Sequence, residues 1–189
     1  MENLYLVLMD TPGFFAGIIR RVIKLNYIHV IISMDDALSE NYSMNRRHPD
    51  IPILAGFVRE HPSKIVMKFP ESQCRILCMQ CTSGQKREIL KRLRYCHIHR
   101  FRFHYCVIGL PFILMDRPFY LKNQFTCSGF LAKLFDDNGI HLFHKHFSLV
   151  TPKDFYELDD LQVIYEGKLC DYVKERCHAA ATSNCFHFL

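Results

Sequence analysis

The stretch NQFTCSGFLAKLF, residues 123–135, decides the fold. Phe130, Leu131 and Leu134 recur at the spacing of an apolar helical stripe that anchors a helix to the core, and FTCSGF puts Cys127 at or just before its first turn. Cys127 therefore falls at the leading edge of an amphipathic helix. A thiol in the middle of that stripe would be an inert core residue. At the helix start it meets unpaired N–H groups and the positive end of the dipole, which favour the thiolate.

Such a nucleophile requires a base on rigid backbone. Of eleven histidines, His29 is the best placed. In YIHVIISM (27–34), Tyr27, His29, Ile31 and Ser33 alternate with Ile28, Val30, Ile32 and Met34, as expected of a strand. The His29 face is the more polar one. A second strand is expected at LSENYSM (38–44). If a loop of two or four residues joins the two, odd positions on the first face even positions on the second. Glu40 and Tyr42 then lie on the His29 face, and register decides between them. Glu40 is preferred as the third member, because a carboxylate orients an imidazole and stabilises its cation.

The rest of the chain supplies a frame. LYLVLM (4–9) reads as a buried strand, and 14–25 as a helix with Arg20, Arg21 and Lys24 opposite an apolar stripe. That helix suits a docked core position and is also able to touch a membrane surface. Three prolines make 45–63 an irregular excursion holding at most one short strand, ILAGFV. CRILCMQC (74–81) is β-like. A basic helix follows, opened by Thr82 and Gln85 in capping-box spacing. Residues 97–122 are aromatic-rich, with breaks at Gly109, Pro111 and Pro118. Gly139 suits a helix C-terminal cap, Thr151–Pro152 starts a short helix, and LQVIYEG (161–167) is a last strand. The order predicts one α+β domain over residues 1–173, built as a single layer pair. The tail, 174–189, has no assignable element and is read as disordered.

Composition narrows the function. The 189 residues carry a net charge of +5, 49% hydrophobic and 23% charged residues. This mild basicity, without a nucleic-acid-binding signature, argues against a nucleic-acid partner. The N-terminal MENLYLVLMDTPG is apolar for only six residues and does not read as a signal peptide. With nine cysteines, an odd number, a cytoplasmic protein with free thiols is expected. Cys74, Cys78 and Cys81 have the C-x3-C-x2-C spacing of some iron–sulfur proteins. Their β-like setting argues against a cluster. His141, His144 and His146, and the CHIHRFRFHYC run, lack a matching second pair of zinc ligands. No metal or cofactor is expected.

Together YIHVIISMDD, LSENYSMNRRHP, FTCSGFLAKLF and VTPKDFYELDDLQVIYEGKL resemble the permuted papain-like branch of the NlpC/P60 superfamily, the YiiX/YaeF-like cysteine hydrolases. The resemblance covers roughly residues 3–173. It implies a small antiparallel sheet or half-barrel with the nucleophile helix packed against it. It also implies Cys127 as nucleophile, His29 as base and Glu40 as third residue. The activity implied is hydrolysis or acyl transfer at an amide or ester bond of a peptide, cell-wall fragment or lipid. Gly129 departs from the family, where a polar residue such as Gln is expected two places after the nucleophile, and is expected to leave room in the pocket. A catalytically silent papain-like binding module is the alternative, and a metal or iron–sulfur protein a more distant one.

Overall fold

The structure, a computed structural model, describes residues 1–10, 26–47 and 55–185. The helix expected over 14–25, with its membrane contact, lies outside the described residues, as does the end of the tail from 186.

The chain forms an α+β fold around one eight-stranded sheet. Its strands are β1 (Glu2–Met9), β2 (His29–Ser33), β3 (Asn41–Arg46), β4 (Ala55–Glu60), β5 (Gln73–Cys81), β6 (His104–Tyr105), β7 (Gln124–Phe125) and β8 (Gln162–Lys168). Their spatial order is β7-β6-β4-β3-β2-β1-β5-β8. Every pairing is antiparallel except β6 with β7, which is parallel. Six helices are described: α1 (Pro62–Lys68), α2 (Ser83–Ile98), α3 (Leu110–Leu114), α4 (Cys127–Asp136), α5 (Pro152–Tyr156) and α6 (Leu169–Cys185).

Alternation along the strands explains why β1 is apolar from Leu4 onward. Leu4, Leu6 and Leu8 enter the larger core, with Val30, Ile32, Tyr42, Met44 and Phe57 from neighbouring strands. Ile89 and Leu93 of α2, Phe130, Leu131 and Leu134 of α4, and Phe155 of α5 close that core. Val7 and Met9 face the other way, into a smaller cluster with Ile31, Leu38, Cys74, Ile76, Leu169 and Tyr172. A central strand covered on both faces has no polar side to show. The single layer pair read from the sequence therefore becomes a sheet with apolar clusters on both faces.

α6 makes part of that second layer. Leu169 and Tyr172 are buried, and the Tyr172 hydroxyl donates to the Asp36 carbonyl at 2.7 Å. Residues 174–185 are helical. The capping box at Thr82 and Gln85 forms as read: Gln85 N–H donates to Thr82 Oγ1 at 3.1 Å, and Thr82 N–H to Gln85 Oε1 at 2.9 Å.

Candidate functional site

Two local events build the site. The first is the start of α4. Thr126 Oγ1 accepts the Gly129 N–H at 3.0 Å, which places Cys127 at the first helical position. The Ser128 hydroxyl donates to the Val150 carbonyl at 2.6 Å and ties the first turn to the following loop. Gly129 leaves no room, contrary to expectation. A Cβ built there would stand 2.9 Å from Thr126 Oγ1 and 3.1 Å from the Phe147 carbonyl oxygen. Its missing side chain lets the cap and the 147–149 turn close on the helix.

The second event is a split in the sheet. β2 pairs with β3 only at Ile32↔Tyr42 and Ser33↔Asn41, whereas β3 continues beside β4 as far as Arg46↔Ala55. α4 packs against both β2 and β3. The Val30 N–H donates to the Cys127 sulfur rather than to a neighbouring strand, and the Ser128 N–H points to the same atom.

Cys127 and His29 are side-chain partners, and both are buried. His29 Nε2 lies 3.4 Å from Glu60 Oε1, which leaves Nδ1 as the nitrogen available to the thiol. Glu60 is itself held. Its Oε1 accepts from Ser43 Oγ at 2.6 Å and from Asn45 Nδ2 at 2.7 Å. Tyr105, on β6, completes the group, with its hydroxyl interacting with Cys127.

The electrostatics follow from these contacts. Burial alone would push His29 toward its neutral form, but the hydrogen bonds to Cys127 and Glu60 outweigh it and raise the imidazole pKa. Burial would also raise the Cys127 pKa, yet the His29 bond and the Val30 and Ser128 N–H groups bring it below the ordinary thiol value. Both shifts favour a thiolate–imidazolium pair. The Glu60 carboxyl also stands to rise by burial, and is held low by His29, Ser43 and Asn45. Other cysteines move the opposite way. Burial pushes Cys74 up to about 12 and Cys96 up to about 11, and also raises Cys78, Cys81 and Cys106.

The structure thus brings Cys127 and His29 together and leaves Glu40 out. The reason is loop length. The Met34 N–H donates to the Glu40 carbonyl at 3.1 Å, so the connection between the strands is the odd-numbered run 35–39. Leu38 is buried in the second cluster with a φ of 54°, and Asp35 caps the Ser39 N–H at 2.9 Å. An odd loop inverts parity, so odd positions of β2 face odd positions of β3. Tyr42 enters the larger core instead. Glu40 accepts from its hydroxyl at 2.7 Å and from Arg94 of α2 at 3.0 and 3.1 Å. Arg94 is the chief reason its carboxyl pKa is lowered. Glu40→Ala should accordingly leave the rate of Cys127 alkylation at pH 6 within about twofold of wild type, because no charge beside the thiol changes. Peptide mapping of iodoacetamide adducts reads this directly.

Glu60 escaped the sequence reading because the strand ILAGFV was ended at Val58, two places short. Its signal was a carboxylate following an alternating run. Tyr105 lay inside CHIHRFRFHYC, a run examined only for zinc ligands. The cysteine spacing on β5 separates in space: Cys74 enters the smaller core and Cys81 the larger one, on opposite faces of the sheet. His141 bonds Asp136, and His146 Nδ1 lies 2.7 Å from Ser148 Oγ. Among the described residues, no group of three His, Cys, Asp or Glu side chains is arranged to hold a metal.

Comparison with known proteins adds no identity. No protein-family model, curated protein or solved structure matches the chain.

Proposed function

We propose that the protein is a cysteine-dependent hydrolase or acyltransferase acting on an amide or ester bond. The observation that carries this reading is the continuous line from Cys127 through His29 to Glu60, set at the N-terminus of α4. It matches in kind the Cys and His that a permuted papain-like resemblance selects, with Glu60 in place of Glu40.

In this mechanism the Cys127 thiolate attacks the carbonyl carbon, forming a C–S bond and moving the π electrons to oxygen. N–H groups at the start of α4 and the Tyr105 hydroxyl are the donors available to the oxyanion. His29, as imidazolium, delivers its proton to the departing amine or alkoxide as that bond breaks. A thioester remains on Cys127. His29, now neutral, takes a proton from water or an acceptor nucleophile, which attacks the thioester. The proton then returns to the sulfur–imidazole pair as the acid or transferred acyl product leaves. Glu60 holds the ring and stabilises its cation throughout.

The test is intact-mass analysis after mixing with p-nitrophenyl acetate. One acetyl group on Cys127 is expected, with a burst of p-nitrophenol, and neither with Cys127→Ala. Absence of an adduct, together with Cys127 alkylation no faster than that of the other thiols, would indicate a silent binding module instead.

A further inference from the structure

Large apolar side chains exposed to solvent are concentrated in one region. Among the described residues, eight of the twelve lie between Ile98 and Leu121. The topology gathers them. Residues 106–123 leave the sheet at β6 and return at β7, the outermost pair of strands, which run parallel. The excursion is closed at its base by the His104 N–H donating to the Asn123 carbonyl at 2.9 Å. Inside it, Phe112 and Phe119 stack with ring centroids 4.4 Å apart. Ile108, Leu114 and Met115 are left 62%, 61% and 58% exposed, and Phe101 at its neck 68%.

The charges in this region have one dominant sign. Arg100, Arg102, Arg117 and Lys122 are exposed, against a single carboxylate, Asp116. Arg100 lies over the Phe101 ring at 4.7 Å, and the Arg47 guanidinium lies over the same ring at 5.4 Å. Cations interleaved with exposed aliphatic and aromatic side chains suit a surface of anionic headgroups over acyl chains. A peptide partner would call for a groove, whereas the exposed apolar side chains here stand among exposed cations. Exposed apolar side chains concentrated in this way mark an interaction site.

We propose that the apolar, basic lobe of residues 98–122 docks the protein on an anionic phospholipid surface. The lobe adjoins the thiol directly: Tyr105, at its base, contacts the Cys127 sulfur, and β7 runs into Thr126 and Cys127. Docking would bring a bilayer-borne ester or amide close to the nucleophile. That last step rests on the thiol chemistry proposed above; the docking itself does not.

The experiment is vesicle co-sedimentation of the full chain, with phosphatidylcholine vesicles compared with vesicles that also contain phosphatidylglycerol. Binding about tenfold tighter to the anionic vesicles, weakened by high salt, is expected. The double variant Leu114→Asp/Met115→Asp should lose about tenfold or more of that binding. Both positions are exposed, so Cys127 alkylation by soluble iodoacetamide should be unchanged in this variant, which serves as the check on folding. Equal binding to neutral and anionic vesicles would overturn the proposal, as would undiminished binding by a second, charge-reversed variant, Arg117→Glu/Lys122→Glu. Vesicle binding by Cys127→Ala matching that of wild type keeps the docking result independent of whether the thiol is catalytic.

Discussion

His29→Ala slows alkylation of Cys127 at pH 6 by about a hundredfold. The wild-type thiolate depends on three influences against burial: the His29 partner, the Val30 N–H and the Ser128 N–H. His29 is the largest of them. Without it, burial drives the thiol back to its ordinary value or higher. A thiol of pKa near 8.5 is only about 0.3% ionised at pH 6. Direction in pH follows from the same signs. Because the Cys127 pKa is lowered, its wild-type labelling should fall less, as pH drops from 8, than that of a thiol at its ordinary value. Buried thiols such as Cys96 should lose about a factor of ten per pH unit across the same range. Iodoacetamide rates resolved by peptide mass mapping check both statements. A His29→Ala rate within a few-fold of wild type at pH 6 would show that the helix terminus alone ionises the thiol.

Glu60→Ala has the largest expected effect on stability, a loss of about 3–5 kcal/mol at neutral pH, since it removes one partner of a buried ion pair. The Glu60 and His29 side chains are 11% and 8% exposed. Ser43 and Asn45, which donate to Glu60 at 2.6 and 2.7 Å, would also be left facing an empty space. For a chain of this size the midpoint of thermal unfolding should fall by about 10 °C. The Glu60 pKa is lowered in the folded protein. Its contribution is therefore complete above the ordinary carboxylate range and disappears as pH falls through the depressed value. The difference between wild type and Glu60→Ala should narrow in acid, which thermal melts at neutral and acidic pH would show. His29 acts in the opposite sense. Its raised pKa gives stability that is complete below the ordinary histidine value and is lost as pH rises through the elevated one. A fall in midpoint of less than about 2 °C at neutral pH would mean that Glu60 is not paired with a charged imidazole.

The two halves of the site differ in how legible they were. Cys127 and His29 could be read because each is fixed by a local pattern. Thr126 caps a helix whose apolar stripe begins three residues after Cys127, and His29 sits in an alternating apolar strand. Helical period and strand alternation are properties of neighbouring residues, so a sequence carries them openly. The same holds for the capping box at Thr82 and for β1 and β5. Glu60 and Tyr105 belong to β4 and β6, whose places beside β3 and β4 are set by pairing between strands distant in the chain. No local period encodes which strand lies beside which.

Glu40 shows how small the deciding quantity was. Alternation placed Glu40 and Tyr42 together on one face of their strand, and the structure agrees. Which face that was depended on whether the loop after Met34 held an even or odd number of residues. Burial of Leu38 in the second core settled it as odd. By itself the sequence determined the α+β composition, the helix that begins at Cys127 and the strand that bears His29. Only the tertiary structure decided the carboxylate that completes the line, the gap between β2 and β3, and the exposure of the 98–122 lobe. Each of these is a matter of register or burial between segments far apart in the chain, where a shift of one residue turns a side chain to the opposite face.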